Sequence, residues 1–103
     1  MNCRIERTAK AEEQLRDIIL YRAELTGSVD AALELLDKME EGINALSRFP
    51  ESGAPPRYGA LRARGFRVLI VDKYLVFYKA DLSRALVTVY AVVDGRRDYL
   101  NLI

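Results

Sequence analysis

Phe66-Arg-Val-Leu-Ile-Val71, Tyr74-Leu-Val-Phe-Tyr78 and Leu86-Val-Thr-Val-Tyr-Ala-Val-Val93 follow one another closely near the end of a 103-residue chain. Each run is rich in β-branched and aromatic residues, the composition of a strand. Asp72-Lys73 separates the first two and Asp81-Leu82-Ser83-Arg84 precedes the third. Such short turns make an antiparallel meander. Side chains alternate along a strand, so Tyr74, Val76 and Tyr78 oppose Leu75 and Phe77. By the same rule Leu86, Thr88, Tyr90 and Val92 oppose Val87, Val89, Ala91 and Val93. Neither strand alternates apolar with polar residues, so the sheet is apolar on both faces.

Upstream, Cys3 and Ile5 alternate with polar neighbours and predict a short first strand over residues 2–7. Thr8 is a suitable N-cap for a helix over roughly residues 9–25, with Ala11, Leu15, Ile18, Ile19 and Leu25 on its apolar stripe and Gly27 ending it. Ser28 or Asp30 caps a second helix. Val29, Ala32, Leu36, Met39, Ile43 and Leu46 form its seam, Leu33 and Leu35 widen it, and Phe49-Pro50 stops it. The short connection makes an antiparallel hairpin. Residues 50–65 hold three prolines, three glycines and three arginines, a loop long enough to be functional or mobile. A turn at Gly95 and a short final helix close the chain. The predicted fold is α+β: an N-terminal strand, then the hairpin on one face of a small antiparallel-rich sheet (βααβββ), then the short C-terminal helix. Two helices cover one face only. Either the tail and the long loop cover the other or a partner does, and the reading prefers a partner, such as an amphipathic helix or an added strand.

The length fits one domain over residues 1–103. Half the residues are apolar and 30% are charged, a soluble globular mix. No apolar run approaches the roughly 18 residues of a membrane span, and the N-terminus lacks a signal core, so the expectation is a cytoplasmic protein with no membrane partner. Cys3 is the one cysteine, a buried apolar side chain by position. There is no histidine, which removes the commonest general base and metal ligand. No cofactor and no metal are expected. Residues 1–53 carry 7 Lys/Arg and 11 Asp/Glu, whereas residues 54–103 carry 9 and 4. The sheet half is therefore basic and suited to an anionic partner.

Arginine and tyrosine supply the candidate chemistry. Arg62, Arg64 and Arg67 precede or open the meander, and Arg96, Arg97 and Tyr99 follow it. A meander can gather these at one rim. Guanidinium forks bind phosphate and stabilise the added charge of a phosphorane. Tyr99 can donate a proton or stack on a base. Arg67, Arg97 and Tyr99 are the catalytic candidates. Arg62, Arg64 and Arg96 are candidates for nucleic-acid or target binding, and Glu51 and Asp98 are the nearby carboxylates. Against this, Arg96 and Arg97 can form ordinary ion pairs with Asp94 and Asp98. Tyr74, Tyr78 and Tyr90 read first as sheet packing, and Tyr21 and Tyr58 carry little signal.

Leu46-Ser-Arg-Phe-Pro-Glu-Ser-Gly53, Tyr74-Leu-Val-Phe-Tyr-Lys79 and Asp94-Gly-Arg-Arg-Asp-Tyr99, in this order, resemble the RelE/ParE superfamily of toxins from bacterial type II toxin–antitoxin modules. The resemblance implies a cognate antitoxin whose C-terminal segment wraps the toxin in a hetero-oligomer. It would cover Leu75, Phe77, Val87 and Val89, or the opposite set Tyr74, Tyr78 and Tyr90. It implies one of two targets. ParE-like members inhibit DNA gyrase. RelE-like members enter the ribosome and cut mRNA by driving the 2′-hydroxyl onto the adjacent phosphate. Of the RelE-type positions, Arg97 matches, Arg67 matches one of two strand lysines, and Tyr99 matches the terminal tyrosine roughly. Leu69 and Leu75 stand where that pattern has basic residues. The reading therefore favours the gyrase branch, with metal-independent mRNA cleavage as the alternative and a non-toxic interaction module of the same fold as a third.

Overall fold

The computed structural model describes residues 2–103. Strand β1 (Arg4–Arg7) leads into helices α1 (Ala9–Thr26) and α2 (Val29–Ala45), then a short helix α3 (Gly59–Ala63) and strands β2 (Arg67–Val71), β3 (Tyr74–Asp81) and β4 (Leu86–Asp94). The sheet order is β1-β4-β3-β2, with β1 parallel to β4 and the other pairs antiparallel. The α+β architecture is as expected. The final helix is a single 3-10 turn, Leu100–Leu102.

The helix boundaries follow from their caps. Thr8 accepts from the Ala11 N–H and Ser28 from the Ala31 N–H, each satisfying one of the unpaired donors of a first turn. Gly27 ends α1 at φ 67°, a left-handed angle that costs glycine little. The loop over residues 50–65 is not structureless: α3 lies inside it, and Ala54 pairs with Val68.

The hairpin packs on one face of the sheet. Leu35, Met39, Ile43 and Leu46 meet Val76, Tyr78, Val87, Val89 and Val92, with Cys3, Ala11 and Leu15 at the edge of the same core. Most of the expected α2 seam is buried, with Ala32, Met39, Ile43 and Leu46 at 3% exposure or less and Leu36 packed against the core, but its first residue and one flank are not. Leu35 lies in the core, whereas Val29 is 67% and Leu33 48% exposed. On α1, Leu25 is 65% exposed.

Two expectations about the sheet are overturned. The second face is closed by the chain itself. Leu61 of α3, Phe66 and Tyr99 of the tail bury Phe77, Ala91 and Val93, with Tyr58 and Ile103 packed against them. The α3 loop and the tail together hold enough apolar surface to roof two or three strands, and no partner is needed there. Strict alternation also fails on β4. Phe77 pairs with Ala91 and Tyr78 with Val89, so Tyr90 is an extra residue in a bulge. The bulge puts Val87, Val89 and Val92 on the helix face, and Tyr90, Ala91 and Val93 on the other. Neither residue set expected to meet an antitoxin is therefore one face. Leu75 and Phe77 lie opposite Val87 and Val89, and Tyr90 lies opposite Tyr74 and Tyr78.

Candidate functional site

The expected gathering of arginines and Tyr99 at one rim does not occur. Arg67 pairs with Tyr78, whereas Asp94, just before Arg96 and Arg97, pairs with Tyr74. Four residues of β3 separate the two positions, about 13 Å at the rise of a strand. The faces differ too. Val68 joins Phe77 on the second face, so Arg67 points to the helix side. Tyr99 is on the second face, 6% exposed, with its ring 5.4 Å from Phe77 and 5.6 Å from Tyr58. The sheet stands between Arg67 and Tyr99.

Arg67 is held by the backbone. Its Nη1 donates to the carbonyls of Glu51 and Gly53, each at 3.0 Å, and its Nη2 meets the Glu51 carboxylate at 3.4 Å. The Gly53 N–H in turn donates to the Tyr78 hydroxyl at 2.9 Å. Burial pushes the Tyr78 phenol up, partly offset by that hydrogen bond and by the Arg67 charge. Together these bonds fix the Pro50–Gly53 segment to the sheet. Glu51 is thereby engaged, and Asp98 lies exposed on the tail.

The remaining cations separate into two groups. Arg62 donates to the carbonyls of Pro56 and Arg57 and so closes the α3 loop. Arg64 lies 5.1 Å above the Phe66 ring. At the far end of the sheet Arg96 pairs with Asp94 at 3.2 Å. The Arg96 hydrogen bond holds the Asp94 carboxyl below its usual range, and Lys73 nearby adds to the effect. Arg97 is exposed, and its side chain makes no ion pair among the described residues.

Lys73, Arg96, Arg97 and the Asp94 that pairs with Arg96 form one wall of a groove of about 860 Å³, whose other wall is Asp17, Ile18, Tyr21 and Leu25 of α1, with Tyr74 at its base. Ile18, Tyr21 and Leu25 recur at helical spacing. Tyr21 is 59% and Leu25 65% exposed. Leu20, Val29 and Leu33 are also exposed on the helical layer, Leu20 beside a separate hollow with Ile19 and Leu36. Large apolar side chains clustered in the open mark an interaction surface. The free apolar surface thus lies on the helical layer and at the sheet end, rather than across the sheet. Tyr21 carries little signal in the sequence because its role depends on which way α1 is rotated. The signal available was Leu25, an apolar residue near the helix end with no partner in the α2 seam.

The profile of one family, described as the ParE toxin of type II toxin–antitoxin system, parDE, matches residues 5–99. The chain belongs to the ParE toxin family. It is a type II toxin–antitoxin toxin of the ParE/RelE superfamily. Among solved structures, this ParE-family chain resembles the chromosomal ParDE toxin–antitoxin system from P. aeruginosa at TM-score 0.72 and 17% identity, covering 89% of this chain and 95% of that one. It also resembles the toxin–antitoxin complex RelBE2 from Mycobacterium tuberculosis at TM-score 0.63 and 18% identity, covering 91% and 99%. At such identities the likeness is one of fold. A search of curated proteins finds no significant match. Among the described residues, no helix of this ParE-family chain is long and apolar enough to cross a membrane.

Proposed function

We propose that this ParE-family toxin arrests growth by inhibiting DNA gyrase, and that a cognate antitoxin neutralises it. The observation that carries the gyrase reading is the dispersal of the ribonuclease candidates. Arg67 is occupied by backbone carbonyls on the helix side, Tyr99 is buried on the other side, and Leu69 and Leu75 are aliphatic. Acid–base catalysis of 2′-hydroxyl attack needs its groups within hydrogen-bond reach of one phosphate. Mutual distances of this kind oppose such a mechanism. The ParE profile match supports the same branch. RelE-like mRNA cleavage is the second reading, favoured by the exposed guanidinium of Arg97, which forms no ion pair among the described residues and shares the groove with Lys73.

For the antitoxin, the groove between α1 and the sheet end is the docking surface. Its apolar residues on α1 and the cations Lys73 and Arg97 opposite them together fit an amphipathic segment with an acidic flank. Both solved relatives are toxin–antitoxin systems, which supports such a partner.

The test is a supercoiling reaction with purified gyrase, run beside transcript analysis during induced expression. The gyrase reading expects lost supercoiling, accumulated cleaved DNA and intact transcripts. Active gyrase with cut transcripts overturns it in favour of RNA cleavage.

A further inference from the structure

The second face of the sheet carries a feature that the toxin reading leaves unused. Five rings run in contact across it, from Tyr58 to Tyr99 at 5.6 Å, to Phe77 at 5.4 Å, to Phe66 at 6.4 Å and to Tyr90 at 5.4 Å. Cations cap both ends. The Arg57 guanidinium stands 5.1 Å from the Tyr58 centroid. Arg64 stands 5.1 Å from Phe66, and Lys79 Nζ sits between Phe66 at 4.7 Å and Tyr90 at 5.3 Å. Among the described residues none of these three cations pairs with a carboxylate, whereas Arg4, Arg7, Arg67 and Arg96 each do.

Beside Lys79 opens a concavity of about 520 Å³, with Gly65, Arg84, Thr88 and Tyr90 on its walls. Its one carboxylate, Asp81, already accepts from the Ser83 hydroxyl and the Arg84 N–H. Lys79 and Arg84 outnumber this one carboxylate, so the site stays positive, and Thr88 and Tyr90 add hydroxyl donors. A cation resting on a ring face is pre-positioned, and a stacked guanidinium still presents its N–H edge to a phosphate. The rings beneath are buried, Phe66 at 4%, Phe77 at 0% and Tyr99 at 6%. This face offers spaced charge rather than apolar anchors. It suits a regularly charged polyanion better than an acidic amphipathic peptide, which needs pockets for its apolar side chains.

We propose that this face binds the phosphodiester backbone of a nucleic acid, with Lys79, Arg64 and Arg84 on neighbouring phosphates around the concavity and Arg57 on a more distant one. The contact does not depend on which target is correct, because gyrase works on DNA and the alternative target is RNA, and both of those nucleic acids carry the same phosphodiester backbone. It gives Arg57, Arg64, Lys79 and Arg84, cations of the basic half that lie outside the groove, a function.

The full chain is titrated into a short labelled DNA duplex and, separately, a labelled single-stranded RNA of mixed sequence, following anisotropy at several salt concentrations. Binding to at least one that weakens steeply with salt is expected, and the tighter of the two identifies the nucleic acid. Lys79→Gln and Arg84→Gln each weaken binding several-fold and lower the salt slope by about one. Lys79→Arg retains it, and Arg16→Gln on α1 leaves it unchanged. Arg84 touches no ring, so its variant reports on binding even if Lys79→Gln loosens the fold. The proposal is overturned by absence of binding at low salt, by equal loss in Arg16→Gln, or by polyglutamate competing as well as nucleic acid of equal charge. Any of these leaves gyrase inhibition, read separately by supercoiling, untouched.

Discussion

At the scale of single residues, Gly53, Tyr78 and Arg67 define how the loop after α2 meets the sheet. A Cβ at Gly53 would stand 2.6 Å from the Tyr78 hydroxyl and 2.8 Å from the Val68 carbonyl oxygen, a backbone atom that cannot move aside cheaply. Gly53→Ala therefore destabilises by about 1–3 kcal/mol in urea unfolding, the range for an overpacked site. Gly42→Ala meets only the Val71 methyl that closely, at 2.9 Å, and costs less. Asp94 gives a pH dependence. Its folded carboxyl is held below the usual range by Arg96. The stability it adds is therefore complete above its unfolded pKa of about 4 and is lost as pH falls through the lower folded value. Thermal melts of Asp94→Asn across the acid range should show a shallower fall below about pH 4 than the wild type. Cys3 and Met39 were legible as core residues from position alone, at 4% and 0% exposure. The orientation of Arg67 was not. It turns on the sheet face taken by Val68, and that is set by the α3 loop arriving over Phe77, a long-range contact with no local signature.

At the scale of elements, the helices and strands were readable because caps and periodicity are local. Ser28 starts α2 alone, and Ser28→Ala should cost about 1 kcal/mol, measured by urea unfolding. Leu33 and Leu35 are a different matter: both are apolar and adjacent to the seam, and only the rotation of α2 against the sheet places Leu35 inside and Leu33 48% exposed. The β4 bulge was equally hidden. Val89-Tyr-Ala-Val92 consists of residues that tolerate either face of a strand, so nothing in the run marks Tyr90 as the extra one. The outer edge of β4 beyond β1 is satisfied by side chains instead of a strand. Thr8 donates its hydroxyl to the Tyr90 carbonyl, and Gln14 accepts from the Val92 N–H while donating to Leu102. Gln14 thus ties α1 to both the sheet edge and the tail. Gln14→Leu leaves the Val92 N–H without its partner, and hydrogen exchange should accelerate at Val92 and along residues 99–103 before it does elsewhere.

Over the whole molecule, acidic and basic halves are stacked as layers, helices against sheet, with the open apolar surface at the tip of the hairpin. The sequence carried the dipole in its charge count and both apolar faces in its strand composition. It could not say what covered the second face, because α3 and the tail act together and each alone is too small to register as a cover. The consequence for partner binding is a relocation, from the sheet to the α1 groove. Leu25 is 65% exposed and makes no core contact, so Leu25→Asp should fold normally while opposing an acidic amphipathic segment. The direct measurement is growth after induced expression of the chain, wild type or Leu25→Asp, with and without its genomic antitoxin neighbour. The account predicts arrest by both chains alone, rescue of the wild type by the antitoxin, and failure to rescue Leu25→Asp. Unimpaired growth with the wild-type chain alone would contradict the toxin assignment, and full rescue of Leu25→Asp would contradict the groove.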